Sequence, residues 1–341
     1  MEQLRVFLHI SDLHIGALDP ESGDSVNSDL VLKYPWLADG LIGHSYEALA
    51  KLEELYFNLG GKDIGLIVTG DLTRCGAEVE YELAKAFLEA ELKRPHGHSI
   101  GLGAADWNEH AVPGNHDHWP GRAILGSPLT CLQETFRRTP SIADPVRLPT
   151  GHEIQFLRID TDADVNPIGW DRIAGRGRFL TELRTLDARL SPAKRNRIRV
   201  LLLHHSSQWR RRLTLGMSQA SRAALYDLMA KKGISILLCG HTHIPWLKRF
   251  PVYSAGAESF TAIEACCGAT TKLTALPMDS TLLGSRPDWH PIQNSAIIHR
   301  LSAADSGDLH WNMQLVFESA FGFEKFPHAP GFSDDITFPL R

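Results

Sequence analysis

The sequence predicts an α/β fold in which a central sheet carries helices on its outer faces. Two patterns indicate it. Short apolar segments alternate along the chain with amphipathic segments of helical length, which is typical of strands joined through helices. Each apolar segment also ends abruptly in a polar, Gly-rich or His-rich turn, so polar side chains are placed at the strand ends.

The elements follow in chain order. The apolar segments that predict buried strands are residues 6–10, 64–68, 200–203 and 234–239. Apolar side chains recur at helical spacing at residues 44–59, 78–92, 178–190 and 219–232. After residue 250 the pattern becomes strand-like without convincing helices, at residues 259–266, 272–276, 296–301 and 309–317. We expect these later strands to form a second sheet packed on the first.

The domain organisation is predicted to be simple. Residues 1–317 form one domain, with long irregular insertions near 16–43 and 118–151. Because loops of that length are usually functional or disordered, we expect both insertions to shape the substrate site. Residues 318–341, which include three prolines and five phenylalanines, are predicted to form a C-terminal tail over the surface.

Composition excludes several classes of protein. The 341 residues are 43% hydrophobic and 22% charged, with a formal net charge of −5, which excludes disordered, collagen-like and disulfide-scaffold chains. No apolar stretch approaches the roughly 18 residues of a membrane span, and the net charge gives no global attraction to nucleic acid or anionic membranes. Five cysteines without a CxxC pair fit a reducing compartment. We therefore expect a cytoplasmic protein with no membrane partner, in which the sequence gives no strong signal for binding nucleic acid.

Metal-ligating side chains cluster just past the ends of the apolar segments. Because ligands bind outside the carboxyl ends of strands in open α/β sheets, turns far apart in sequence can meet there. The converging set is Asp12, His14, Asp71, Asn115, His116, His204, His241 and His243. Imidazole, carboxylate and amide groups together suit Mn, Fe, Zn or Co, and their number exceeds what one ion needs. We therefore predict two divalent cations, bridged by Asp71 on its tight turn.

These residues lie in motifs that resemble the calcineurin-like metallophosphoesterase family. The motifs, in the family's order, are Asp12-Leu13-His14, Gly70-Asp71-Leu72-Thr73, Gly114-Asn115-His116-Asp117, His204 and Gly240-His241-Thr242-His243. Residues 10–16 and 70–73 are most similar to the class III cyclic-nucleotide phosphodiesterase branch. Residues 99–112 depart from the family, because they are Gly-rich and polar where an apolar strand is usual, but the departure removes no ligand.

The resemblance implies a four-layer αββα sandwich of two mixed sheets flanked by helices. It assigns one metal ion to Asp12, His14, Asp71 and His243, and the other to Asp71, Asn115, His204 and His241. His116 would be the general acid, with Asp117 or a nearby carbonyl setting its tautomer. The implied reaction is phosphate-ester hydrolysis, in which the two ions lower the pKa of a shared water to supply a hydroxide.

The expected substrates are small or medium phosphate esters, in particular phosphodiesters and among them cyclic nucleotides. A nuclease or a nucleotide pyrophosphohydrolase on the same scaffold is the alternative. A catalytically silent scaffold module is a further alternative, against which the complete ligand set and His116 argue.

Other side chains near the motifs have less specific interpretations. His205 is left outside the metal shell, since adjacent residues of a strand point to opposite faces, and a substrate-facing or supporting role competes with packing. His9 and His118 are interpreted as structural. Three tryptophans follow the ligand motifs and either rim the pocket or pack under loops: Trp119, Trp209 and Trp246. The candidates for holding phosphate are Arg74, Arg122 and the arginines at 210–212.

Overall fold

Two mixed β-sheets stack face to face, and helices cover their outer faces. In this computed structural model the described residues are 2–19, 22–25, 43–93, 98–118, 129–166, 175–209, 216–254, 257–271, 294–325 and 333–338. The strands are β1 (Glu2–Ile10), β2 (Gly65–Val68), β3 (Ser141–Ile142), β4 (Val146–Arg147), β5 (Glu153–Arg158), β6 (Arg197–Leu202), β7 (Ile234–Cys239), β8 (Trp246–Ser254), β9 (Ala257–Cys266), β10 (Ser295–Ala303), β11 (Leu309–Ser319), β12 (Gly322–Lys325) and β13 (Ser333–Phe338). The helices are α1 (Tyr46–Asn58), α2 (Glu78–Glu89), α3 (Leu129–Thr135), α4 (Leu180–Arg189) and α5 (Gln219–Lys232).

Each sheet combines strands from distant parts of the chain. The first has the order β12–β11–β10–β1–β2, with β13 also paired to β11, and the second has the order β3–β5–β6–β7–β9–β8, with β4 also paired to β5. β1 and β2 run parallel, as do β5, β6, β7 and β9. The carboxyl ends of these parallel strands therefore meet at one edge of the sandwich.

Alternating side chains of the strands build three apolar layers. In β1, Leu8 and Ile10 pack with α1 residues such as Leu52, whereas Phe7 faces the other sheet and contacts Phe156 with ring centroids 5.4 Å apart. A third layer joins the second sheet to α4 and α5. The four-layer αββα arrangement predicted from the sequence is confirmed.

Local signals account for the well-predicted helix at 219–232. Ser218 caps its N-terminus by accepting from the backbone N–H of Ser221 at 3.1 Å, and the helix ends at Gly233 in the left-handed conformation. The positive charges of Lys231 and Lys232 in the last turn interact favourably with the negative C-terminal end of the helix dipole. None of the helices within the described ranges is long and apolar enough to cross a membrane.

Three expectations about strands are corrected. The later strands do not form a sheet of their own, because β9 pairs with β7 while β10 pairs with β1. The predicted tail instead supplies β12 and β13, and Phe338 packs at the layer between the sheets. The 118–151 insertion contains α3, β3 and β4. The predicted strand at 272–276 lies outside the described residues, as do most of residues 16–43.

The polar segment before the third motif also differs from a strand, as its composition indicated. Residues Trp107–His110 form a short 3-10 helix, and a single bridge joins Ala111 to Val68 of β2. The backbone N–H of Val112 donates to the Val68 carbonyl at 3.0 Å. This bridge places the following motif beside the end of β2.

Candidate metal centre

The loops that follow β1, β2, β6 and β7 are tied together through their backbones. The N–H of Asp12 donates to the Gly70 carbonyl at 3.0 Å, and the N–H of His14 donates to the Asp71 carbonyl at 2.9 Å. The N–H of Gly240 donates to the His204 carbonyl at 3.1 Å. These bonds join the loops in two pairs, and the bond from the His241 N–H to Asp12 Oδ2 at 2.9 Å joins one pair to the other.

Gly70 shows how closely these loops approach. Its φ is 98°, and a Cβ at this position would lie 2.5 Å from His204 Nδ1. Only glycine allows both the backbone conformation and the contact. A side chain here would push His204 away from Asp71.

The first ligand group consists of Asp12, His14 and His243, whose ligand atoms lie within 4.8 Å of one another. His14 Nε2 is 3.0 Å from His243 Nε2, and His243 Nε2 is 3.3 Å from Asp12 Oδ1. Asp12 is wholly buried, and its Oδ1 accepts no hydrogen bond. A buried carboxylate oxygen without a donor is costly unless a cation lies beside it.

The second ligand group consists of Asp71, Asn115, His204 and His241. His204 Nε2 lies 3.3 Å from Asp71 Oδ2, 3.1 Å from Asn115 Oδ1 and 3.1 Å from His241 Nδ1. Asp71 Oδ2 is also 3.9 Å from His14 Nε2 of the first group. Asp71 therefore lies between the two groups, where the sequence predicted a bridging carboxylate.

The ring nitrogens of the second group are oriented for a cation. His204 Nδ1 donates to the Thr69 carbonyl at 2.6 Å, and His241 Nε2 donates to the Gly175 carbonyl at 2.8 Å. In neutral imidazoles the nitrogens that face each other then both carry lone pairs, which repel unless a proton or metal ion lies between them. This donor set of imidazole, carboxylate and amide oxygen fits a borderline divalent ion.

The pKa values of the histidines in the two ligand groups are shifted by burial and by the neighbouring carboxylates. Burial lowers the pKa of His204, but the Asp71 carboxylate, together with Asp12 and the Thr69 carbonyl, raises it to about 10. Burial lowers the pKa of His14 and of His241 well below the usual value, so both rings are neutral at pH 7. His204 would have to lose this proton to hold a metal ion in the second group.

Five of the predicted ligands have left-handed backbone conformations. Positive φ values of 48–70° occur at Asp12, His14, Asp71, His241 and His243. Such conformations cost about 1–3 kcal/mol each for residues with a side chain, and they persist where the surrounding structure enforces them. This concentration of strain on the ligand-bearing loops marks them as a functional site.

His116 lies beside both groups. Its backbone N–H donates to Asp71 Oδ1 at 2.8 Å, and its Nδ1 donates to the Arg74 carbonyl at 2.8 Å. Nε2 is consequently the nitrogen that can exchange a proton with a substrate. The His14 and His116 rings have centroids 4.8 Å apart.

The Asp117 carboxylate bonds the backbone of two neighbouring loops. The Arg74 carbonyl sets the tautomer of His116, whereas the Asp117 carboxylate accepts from the backbone N–H groups of Thr73 and Gly114, both at 2.9 Å. Burial and the charge of Asp71 raise the pKa of Asp117 to about 6. Asp117 therefore holds the second and third motif loops together.

A buried carboxylate that no motif predicted supports the loop after His204. Glu264 is wholly buried and accepts from Ser206 Oγ at 2.5 Å, from Ser207 N and Oγ at 2.9 and 2.6 Å, and from Trp246 Nε1 at 3.2 Å. The indole of Trp209 stacks on that of Trp246, with centroids 6.0 Å apart. These contacts favour the packing interpretation of both tryptophans.

The remaining candidates are buried or half-buried side chains, whose predicted roles stay predictions, and residues outside the described ranges. Arg74 is buried behind His116, and His9 Nε2 is 2.9 Å from Thr69 Oγ1 within the core. His118 Nε2 is 2.8 Å from Asp160 Oδ2, a residue that follows the unpredicted strand β5. Trp119, Arg122 and residues 210–212 lie outside the described residues.

The chain resembles known proteins in both sequence and fold. A family model for calcineurin-like phosphoesterases matches residues 5–245, and no curated protein gives a significant match to the chain. A purple acid phosphatase from yellow lupin (Lupinus luteus) seeds aligns with a TM-score of 0.55 and 12% identity, over 99% of this chain and 54% of that chain. A dimetal phosphatase from Danio rerio aligns over 99% of both chains, with a TM-score of 0.49 and 13% identity.

Proposed function

We propose that this chain, which belongs to the calcineurin-like phosphoesterase family, is a metal-dependent phosphodiesterase that uses two divalent cations. The observation that carries the proposal is the position of Asp71, whose Oδ2 lies 3.9 Å from His14 Nε2 and 3.3 Å from His204 Nε2. One carboxylate thus lies close to the imidazole nitrogens of both groups of ligands. Preference for a diester is supported by the similarity of residues 10–16 and 70–73 to cyclic-nucleotide phosphodiesterases.

The residues would divide between the two ions as the sequence predicted. Asp12, His14 and His243 would hold one ion, Asn115, His204 and His241 would hold the other, and Asp71 would contact both. When bound, such ions supply Lewis acidity, which activates water and offsets the charge of a phosphoryl group; Mn, Fe or Zn suits these ligands.

The protein's own part in the reaction is to position these ligands and to move one proton. The Thr69 and Gly175 carbonyls fix which nitrogen of His204 and His241 faces inward. As an imidazolium, protonated on both nitrogens, His116 would keep the Nδ1 proton for the Arg74 carbonyl and donate the Nε2 proton to the departing oxygen of the substrate, which leaves the neutral ring that burial favours by lowering its pKa. Because the backbone N–H of His116 donates a hydrogen bond to Asp71, the proposed acid stays at a fixed distance from the proposed shared ligand.

The test compares esters in the presence of added Mn²⁺. We expect hydrolysis of bis(p-nitrophenyl) phosphate to exceed that of p-nitrophenyl phosphate, and chelation to abolish both activities. A faster reaction of the monoester would contradict the diester preference. The absence of turnover with any divalent ion would favour the silent scaffold module.

A second panel identifies the substrate class. It comprises cyclic nucleotides, linear dinucleotides, single-stranded DNA and glycerophosphodiesters, assayed at equal concentration. We expect the highest kcat/KM for a cyclic nucleotide. A preference for single-stranded DNA would support the nuclease alternative, and release of a nucleoside monophosphate from a dinucleoside polyphosphate would support the pyrophosphohydrolase.

A further inference from the structure

The Gly175 carbonyl lies between two histidine rings, of which only one belongs to the proposed ligands. His241 Nε2 is 2.8 Å from this oxygen, and His205 Nε2 is 3.1 Å from it. Because a carbonyl oxygen only accepts hydrogen bonds, both Nε2 atoms carry a proton and donate to it. The two rings also pack on each other, with centroids 4.1 Å apart.

The far side of the His205 ring determines the rest of the hydrogen-bond chain. His205 Nδ1 is 2.7 Å from Thr161 Oγ1. Since the proton of a neutral ring is on Nε2, Nδ1 accepts from the Thr161 hydroxyl. By the same reasoning His241 Nδ1 has no proton, and it faces His204 Nε2 at 3.1 Å.

The segment that carries Gly175 is held tightly over His205. A Cβ at Gly177 would lie 2.8 Å from His205 Cγ and 3.0 Å from the Thr161 carbonyl oxygen. The backbone of Gly177 also donates to the Gly216 carbonyl at 2.9 Å. His205 and Thr161 are both wholly buried, so no water competes for these bonds at the surface.

We propose that His205 is a positioning residue that, together with Thr161, fixes the Gly175 carbonyl so that His241 presents Nδ1 to a metal ion. The inference rests on the proposed dinuclear site. Carbonyl partners of ligating histidines fix the tautomer and the ring orientation, and loss of such a partner lowers metal affinity about 10–100-fold. His205 would therefore matter for the ion held by the second ligand group and not for the other.

The test replaces His205 with a ring that makes no hydrogen bond. His205→Phe keeps the contact with His241 but removes both bonds. The matched control is His152→Phe, since His152 is also buried and bonds a threonine, with Nδ1 3.0 Å from Thr150 Oγ1, but precedes β5 at the opposite edge of the sheet. Bound Mn²⁺ is measured by equilibrium dialysis with elemental analysis, and coupling between the ions by electron paramagnetic resonance.

We expect the unaltered protein and His152→Phe to bind two magnetically coupled ions. His205→Phe should bind one ion with unchanged affinity and the other about 10–100-fold more weakly, with the spectrum of isolated Mn²⁺ at intermediate concentration. Two tightly bound, coupled ions in His205→Phe would overturn the inference. No bound ion in the unaltered protein would instead overturn the proposed function.

A second variant keeps the test decisive if His205→Phe does not fold. Thr161→Val preserves the shape of the side chain and removes only the hydroxyl that donates to His205 Nδ1. We expect a smaller loss of affinity for the same ion, with circular dichroism unchanged. Unaltered affinity for both ions in Thr161→Val would overturn the inference.

Discussion

The sharpest kinetic prediction concerns His116. In His116→Ala the bond from the backbone N–H to Asp71 Oδ1 remains, because it does not involve the ring. We therefore expect both metal ions to be retained. The variant lacks the proton on Nε2, and a general acid is worth about 10²–10⁴ in rate, or about 3–5 kcal/mol of transition-state stabilisation.

The assay compares two leaving groups. A methyl p-nitrophenyl phosphate diester can lose p-nitrophenolate, which departs without a proton, whereas a dialkyl diester such as a cyclic nucleotide must lose an alkoxide. We expect kcat/KM of His116→Ala to fall by the full factor for the alkoxide and by about tenfold or less for p-nitrophenolate. Equal losses for the two leaving groups, at unchanged metal content, would refute the assignment of His116 as the acid.

Three further changes test the site and its supports. Asp71→Asn should lose both ions in elemental analysis, because both groups depend on this charge, and retention of two ions would contradict the shared position. Glu264→Gln should lower the free energy of unfolding in urea by about 2–3 kcal/mol, since an amide NH₂ would face donors such as Ser207, and an unchanged midpoint would contradict this. Burial raises the pKa of Glu182 from 4.5 to about 7, with the nearby Asp160 also raising it. The folded protein therefore loses stability as pH rises from about 4.5 through 7, and in Glu182→Gln the thermal midpoint should fall less over this range, which thermal melts at pH 5 and 8 measure.

Most of the candidate ligands could be predicted from the sequence because they follow directly on short apolar strands, whereas Asn115 follows a 3-10 helix and a single bridge and was identified from its motif. Strand ends and motif residues are local signals, and the parallel pairing of β1 with β2 and of β6 with β7 converts them into one site. The helix at 219–232 was equally predictable, since Ser218 and Gly233 mark its two ends. The assignment of His116 as general acid rests on the family resemblance and stays a prediction, and the Arg74 carbonyl that bonds its ring is one of the two partners that the sequence left open.

Other parts depend on contacts that carry no local signal. β5 was missed because Gln155 and Arg158 interrupt its apolar run, and the turn that supplies Asp160 and Thr161 was missed with it. β8 was missed because Pro251 and charged residues interrupt its apolar pattern. The strand forms nevertheless, since β8 lies at the edge of its sheet, where such residues are tolerated. The pairing of β10 with β1 joins residues almost 300 positions apart, and an alternating pattern identifies a strand but not its neighbour.

The central claim is most directly tested by the metal content of the protein and the location of its ions. Protein purified without chelator and supplied with Mn²⁺ would be analysed for metal and crystallised, and anomalous scattering would locate the ions. The account predicts two ions per chain about 3.5–4 Å apart on either side of Asp71, one near His14 and one near His204. A single ion away from Asp71, or no ion among these side chains, would contradict it.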